Sequence, residues 1–135
     1  METKLPARAV ELLRKPVLAH IATVMRDGSP QVTPVWVDTD GDYILVNTAE
    51  GRVKTRNLKR NHHVALSITD PTSPLASSLI VRGTVVEIIT EGADEHISFL
   101  ARKYTGAERH SNRRAEVRVI LRIRPDSVSG GVTQN

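Results

Sequence analysis

The chain has 135 residues, enough for one domain with a packed core and too few for two ordinary ones. It carries 19 Lys and Arg against 15 Asp and Glu, a formal net charge of +4, and no cysteine, which excludes disulfides, thiolate metal sites, iron–sulfur clusters and a cysteine nucleophile. Trp36, Tyr43, Phe99 and Tyr104 are the only aromatics, too few for a base-stacking platform, and no run approaches the ~20 apolar residues of a membrane span. The expectation is a soluble, cytoplasmic protein of one domain over residues 1–135, with about 126–135 as a flexible tail and no membrane partner.

Residues 5–14 (LPARAVELLR) place Leu5, Ala9, Leu12 and Leu13 at helical spacing, with Pro6 in a first turn and Pro16 closing the segment. Val17–Val24 reads as a strand, Asp27-Gly28 as a hairpin turn and Gln31–Val37 as a second strand. Pro34 has no N–H for a ladder, so the second strand is read as an edge, a bulge or a backbone opened toward a ligand. Asp40-Gly41-Asp42 turns the chain into a third strand, Tyr43–Asn47, and the three strands are expected to form a meander.

After a short cationic helix, His63–Thr69 alternates as a fourth strand. Asp70–Pro74 is a loop, and Ser78–Ile89 is a long fifth strand with a bulge or bend at Gly83. Glu91–Tyr104 has helical spacing, with Thr90 as N-cap and Gly106 as terminator. Residues 107–114 are polar, and Val117–Ile123 is a sixth strand ended by Pro125. Strands that outnumber the helices without alternating with them predict a mainly β, α+β fold built on a six-stranded antiparallel barrel. No G-x-G-x-x-G or P-loop pattern supports a dinucleotide or NTP site.

The most informative stretch is Asn47–Arg60 (NTAEGRVKTRNLKR), in which a strand end and a turn at Gly51 lead to a helix start loaded with cations. Arg52, Lys54, Arg56, Lys59 and Arg60 put five like charges in nine residues with no acid among them. Such a run is often only a solvated face. Here Val53 and Leu58 lie five apart and make no apolar stripe, while a helix start offers free N–H groups and a positive dipole end. An anion, phosphate or carboxylate, is the expected partner.

This block, with ATVMRDGSPQVTPVWV before it and RGTVVEI after it, resembles the split β-barrel flavin and deazaflavin oxidoreductases, the pyridoxamine 5′-phosphate oxidase-like superfamily, and within it the branch that binds coenzyme F420. The resemblance spans nearly the whole chain and implies an FMN-binding type of split barrel. It implies that Arg52, Lys54 and Arg56 hold the cofactor phosphate at the helix start beside Val53, and that Asn47 and Thr48 make polar contacts at the strand end. It places the planar ring along Gln31, Val32, Pro34, Val35 and Trp36. It further implies a homodimer whose partner chain closes the site from Leu75–Ser78, with Ser78 among the contacts. The chain has no aromatic in that segment, and its C-terminal end lacks the Arg- and Trp-bearing segment of true pyridoxamine phosphate oxidases.

The function implied is hydride transfer between coenzyme F420 and a small organic acceptor. Lys59 and Arg60 supply cations for the deazaflavin's acidic tail, and FMN is the alternative cofactor. A non-catalytic F420 carrier and a basic nucleic-acid-binding barrel are the rivals, the latter disfavoured by the aromatic count. The remaining candidates read as structural. His62-His63 point to opposite faces of a strand start, so no metal is expected. His20 reads as a packed or edge residue, and His96 and His110 as surface. Ser77-Ser78 has no neighbouring base to make a nucleophile.

Overall fold

A computed structural model describes residues 2–110 and 115–133. Pro6, whose ring fixes φ and which has no N–H to satisfy, caps helix α1 (Ala7–Leu13), and Ala9, Leu12 and Leu13 are its buried face. Strand β1 (Ala19–Val24) turns at Gly28 (φ 90°) and returns as β2 (Pro30–Val35), followed by β3 (Val37–Thr39) and β4 (Ile44–Ala49). Helix α2 (Val53–Arg60) leads to β5 (His63–Thr69) and the long β6 (Ser78–Ile89). Helix α3 (Ala93–Thr105), β7 (Arg118–Ser129) and a 3₁₀ turn at Gly131–Thr133 complete the chain. Among the described residues no helix is long and apolar enough to cross a membrane.

The seven strands form one antiparallel sheet in the order β2-β1-β5-β6-β7-β4-β3. Its two edge strands, β2 and β3, are separated in the chain by Trp36 alone. A sheet whose opposite edges are held by one residue must curl until they approach, which makes it a split barrel rather than an open sheet. The residues that alternate inward, among them Ile21, Val46, Leu66, Val81, Leu121 and Ile123, are at most 1% exposed and fill the barrel.

Five sequence expectations are corrected here. The predicted second strand, Gln31–Val37, is two strands. It breaks at Trp36 because Val37 N–H is taken by the Tyr104 hydroxyl (3.0 Å) and Pro34 has none to give, so there are seven strands, not six. For the same reason there is no three-stranded meander, since β2 pairs with β1 while β3 pairs with β4. Thr90 is not the cap of α3. Gly92, in the left-handed region at φ 78°, precedes the helix without a side-chain cap, and Thr90 contributes its carbonyl to Ala93 N–H.

Nor does Pro125 end the last strand. A register shift places Arg82 opposite Ser127 and Gly83 opposite Pro125, so Asp126 is the extra residue of a bulge. Its carboxylate accepts from Thr84 Oγ1 (2.6 Å) and Arg124 Nε (2.8 Å). Residues 126–129, expected as a free tail, are paired on β6, and Val132 beyond them is 3% exposed. The polar segment 107–114 falls partly outside the described residues.

Gly83 is present because nothing larger fits at this crossing. A Cβ there would lie 2.7 Å from the Arg124 carbonyl oxygen and 2.9 Å from Ile123 Cγ2. Gly83→Ala is expected to cost about 1–3 kcal/mol of stability, as overpacked positions do. Ala65→Ser on the exposed face should stay within about 0.5 kcal/mol. Urea denaturation of both variants checks the pair.

Candidate cofactor site

Helix α2 is seated by polar contacts that an apolar-stripe reading cannot detect. Thr55 Oγ1 donates to the Ala49 carbonyl (2.7 Å), and Asn57 Nδ2 donates to Thr23 Oγ1 (3.0 Å) beside Met25 Sδ. Leu58, fully buried, is its one large core side chain. The turn at Gly51 (φ 83°) aims the helix start back at the end of β4. No side chain caps that start, so its first-turn N–H groups are left for solvent or a ligand.

Beside it lies a cleft of about 370 Å³. One wall is apolar, made by Leu18, Pro34, Val35, Trp36 and Ile97. The other is polar and cationic, made by Asn47, Thr48, Arg52, Lys54, His110 and Arg118. Trp36 is a rigid part of the apolar wall. It stacks on Tyr104 with ring centroids 5.1 Å apart and planes 11° from parallel. The Tyr104 hydroxyl donates to the Val17 carbonyl (2.7 Å), and Lys103 Nζ donates to the carbonyls of Leu13 and Val37 (2.7 Å each). The C-terminal end of α3 thus clamps the β2–β3 crossing.

The charges on the polar wall do not cancel. Glu116 grips Arg52 through two hydrogen bonds, Nε to Oε2 at 2.7 Å and a terminal nitrogen to Oε1 at 2.8 Å, and lies 3.7 Å from Arg118. Lys54 and Arg118 are each only 8% exposed. Arg118 Nε donates to Asn47 Oδ1 (2.9 Å), whereas the Lys54 ammonium has no hydrogen-bond partner among the described residues. Burial first, then the Arg52 and Arg118 charges, hold Lys54 below the usual lysine range. Burial and then Arg52 lower Arg118 in the same way, and burial and then Arg118 lower His110, whose Nδ1 is buried with no hydrogen-bond partner among the described residues. With two desolvated cations and one carboxylate already shared between arginines, the cleft carries an excess of positive charge.

Of the thirteen predicted site residues, the structure brings Pro34, Val35, Trp36, Asn47, Thr48, Arg52 and Lys54 together around this cleft. The other six line none of it. Gln31 faces inward and accepts from Thr23 Oγ1 (3.2 Å), while Val32 is 62% exposed on the outer face of the sheet. Val53 and Arg56 are on the outer side of α2. Lys59 is at the far end of the helix, paired with Glu50 (2.6 Å), and the neighbouring Arg60 donates to Asn57 Oδ1 (2.9 Å). Ser78 starts β6 opposite Thr69, its hydroxyl accepting from Gly131 N–H (3.0 Å).

Leu18, Ile97, His110 and Arg118 line the cleft without having been singled out in the sequence, and His110, read there as a surface residue, is one of its walls. A second, larger groove of about 540 Å³ crosses the outer sheet face near Ala22, Val24, Ala65 and Gly83 and contains no predicted site residue. Among the described residues no group of three or more His, Asp or Glu could hold a metal ion.

The family model for pyridoxamine 5′-phosphate oxidase matches residues 5–130. Among solved structures, an F420 reductase is 36% identical, with 88% of this chain and 94% of that one covered and a TM-score of 0.79. A conserved hypothetical protein of Mycobacterium tuberculosis is 21% identical over 94% of this chain and 84% of its own, with a TM-score of 0.71. General stress protein 26 of Bacillus anthracis is 17% identical over 90% and 88%, with a TM-score of 0.65, a likeness of fold alone. No curated protein matches the chain.

The Lys103 clamp generates a pH prediction. Burial pushes its ammonium down to about 8, with Asp38 pulling the other way. The unfolded chain, with an ordinary lysine near 10.4, binds more protons between pH 8 and 10, so this group makes stability rise with pH across that window. Urea denaturation at pH 7.5 and 9.5 should show a gain in the parent relative to Lys103→Met; equal pH responses would mean that Lys103 titrates normally.

Proposed function

Because the chain belongs to the pyridoxamine 5′-phosphate oxidase family, we propose that it is a coenzyme F420-dependent oxidoreductase whose cofactor phosphate sits between Lys54 and Arg118. The carrying observation is that these two cations, each buried to nine-tenths, face one cleft, and that the Lys54 ammonium has no hydrogen-bond partner among the described residues. The 36% identity to an F420 reductase over most of both chains favours the deazaflavin over FMN, the family's alternative. When bound, the cofactor supplies hydride chemistry toward a small organic acceptor.

The chain's own residues have limited and definable tasks. Lys54, Arg118 and the first-turn N–H groups of α2 neutralise the phosphate, with Thr48 Oγ1 beside them as a donor. Trp36, braced by Tyr104, and Pro34 hold a flat apolar surface for the ring and keep water from one side of it. Arg52, already engaged by Glu116, sets the electrostatic background more than it grips the ligand. Lys59 is tied to Glu50 across the helix turn, so Arg56, exposed on α2, is the better placed cation for an acidic tail.

The proposal includes a cytoplasmic homodimer. Its support is the outer face of β2-β1-β5-β6, which exposes Val32, Ala65 and Ile80 to solvent, and the loop before β6, where Leu75 is 91% exposed. A carrier with the same cleft but no room for an acceptor is the other reading that the family allows.

Lys54→Ala is the decisive variant. Loss of one shielded, charge-assisted contact is worth roughly 1.5–3 kcal/mol, so F420 affinity should fall about 10- to 100-fold with the fold intact. Fluorescence titration of stripped protein, with circular dichroism as the fold control, reads this. Unchanged affinity would remove the cofactor from the cleft.

A further inference from the structure

We infer that Asp38 and His96 are positioning residues for the cofactor site, acting through Asn47 to fix the Arg118 guanidinium in the cleft. The inference rests on the reading of that cleft as the cofactor site. Asn47 is 7% exposed and both ends of its amide are engaged. Nδ2 donates to the Ala93 carbonyl (2.8 Å), and Oδ1 accepts from Arg118 Nε (2.9 Å). A carbonyl can only accept and a guanidinium can only donate, so these two contacts orient the amide without reference to any other group.

That orientation dictates the state of His96. Asn47 Nδ2 also lies 3.2 Å from His96 Nδ1, and since the amide nitrogen donates, Nδ1 must be the bare acceptor. The ring proton is then on Nε2, which lies 3.2 Å from Asp38 Oδ2 and donates to it. Four residues from β3, α3, β4 and β7 thus form one directed chain of hydrogen bonds, Asp38 to His96 to Asn47 to Arg118, with only Arg118 and Asn47 reaching the cleft.

The electrostatics around the far end are consistent. Burial acts to raise the Asp38 carboxyl, but the hydrogen bonds from His96 and Thr39, with the Lys103 charge, act the other way, and the carboxyl is held below the usual range. An ionised Asp38 is the acceptor that the Nε2–H tautomer needs. Asn47, which also lines the cleft, therefore serves as the junction of this chain. No amide valence is left over except the second lone pair of Oδ1. Losing the imidazole would leave one amide N–H of Asn47 without its acceptor, so the amide would keep its orientation but lose one of its three anchors, and the guanidinium held on Oδ1 would lose its fixed place.

Two arms test this. In the cofactor-free protein, long-range ¹H–¹⁵N correlation of His96 should show the Nε2–H tautomer, and the Arg118 Nε–H signal, assigned by its loss in Arg118→Lys, should be lost or shifted in His96→Ala. In the second arm, His96→Ala should weaken F420 binding about 10-fold or more, as loss of an orienting partner does. His96→Gln, which carries both an acceptor and a donor, should restore most of it. An Nδ1–H tautomer, an Arg118 signal indifferent to His96→Ala, or equal binding by the Ala and Gln variants would overturn the inference. Failure of the parent to bind any cofactor would instead overturn the proposed function, and is seen before any variant is made.

Discussion

The burial of Lys54 and Arg118 in one cleft is the constraint on which the rest of the site depends. Two like charges taken out of water are mutually unfavourable and individually costly, and a fold retains them only where something opposes both effects. Glu116 offsets part of the cost but is committed to Arg52 by two short hydrogen bonds. The remaining imbalance is positive and lies beside an uncapped helix start, which supports the proposal of a phosphate-like anion there. An exposed basic helix that follows a nucleic-acid backbone would keep its lysines in water. Lys54, 8% exposed, does not.

The second constraint is topological. Because β2 and β3 are opposite edges of one sheet and consecutive in the chain, the residue between them must lie where the barrel closes. That residue is Trp36, and the closure is held by Tyr104 and Lys103 from α3. The apolar wall of the cleft is therefore part of what keeps the barrel shut, and the cationic wall opposite is delivered by the β4–α2 turn, with Arg52 and Lys54, and by the start of β7, with Arg118. The fold and the site share the same few contacts, which is why the wall can be rigid without a large aromatic content in the sequence.

What the sequence made legible was local. Lys54 stood out because five cations in nine residues followed a glycine turn, and Pro34 marked an edge because proline cannot donate to a ladder. What it hid was set by partners far along the chain. Arg118 looked like one more residue of an alternating strand, and its meaning comes from Asn47, 71 positions away. His96 sits among Asp94, Glu95 and Ser98 and reads as surface, yet its ring meets Asp38 and Asn47, 58 and 49 positions away. Pro125 looked like a strand end because the bulge that accommodates it exists only opposite Gly83. Lys59 lies at the far end of α2, and the acid that pairs with it, Glu50, lies before the turn.

The measurement that bears most directly on the central claim is the crystal structure of the protein grown with coenzyme F420. The phosphorus should lie within charge-assisted hydrogen-bond distance of Lys54 Nζ and the Arg118 guanidinium, with the ring against Pro34 and Trp36. Electron density for the cofactor in the groove across the outer sheet face, near Ala65 and Gly83, with Lys54 and Arg118 left untouched, would contradict it.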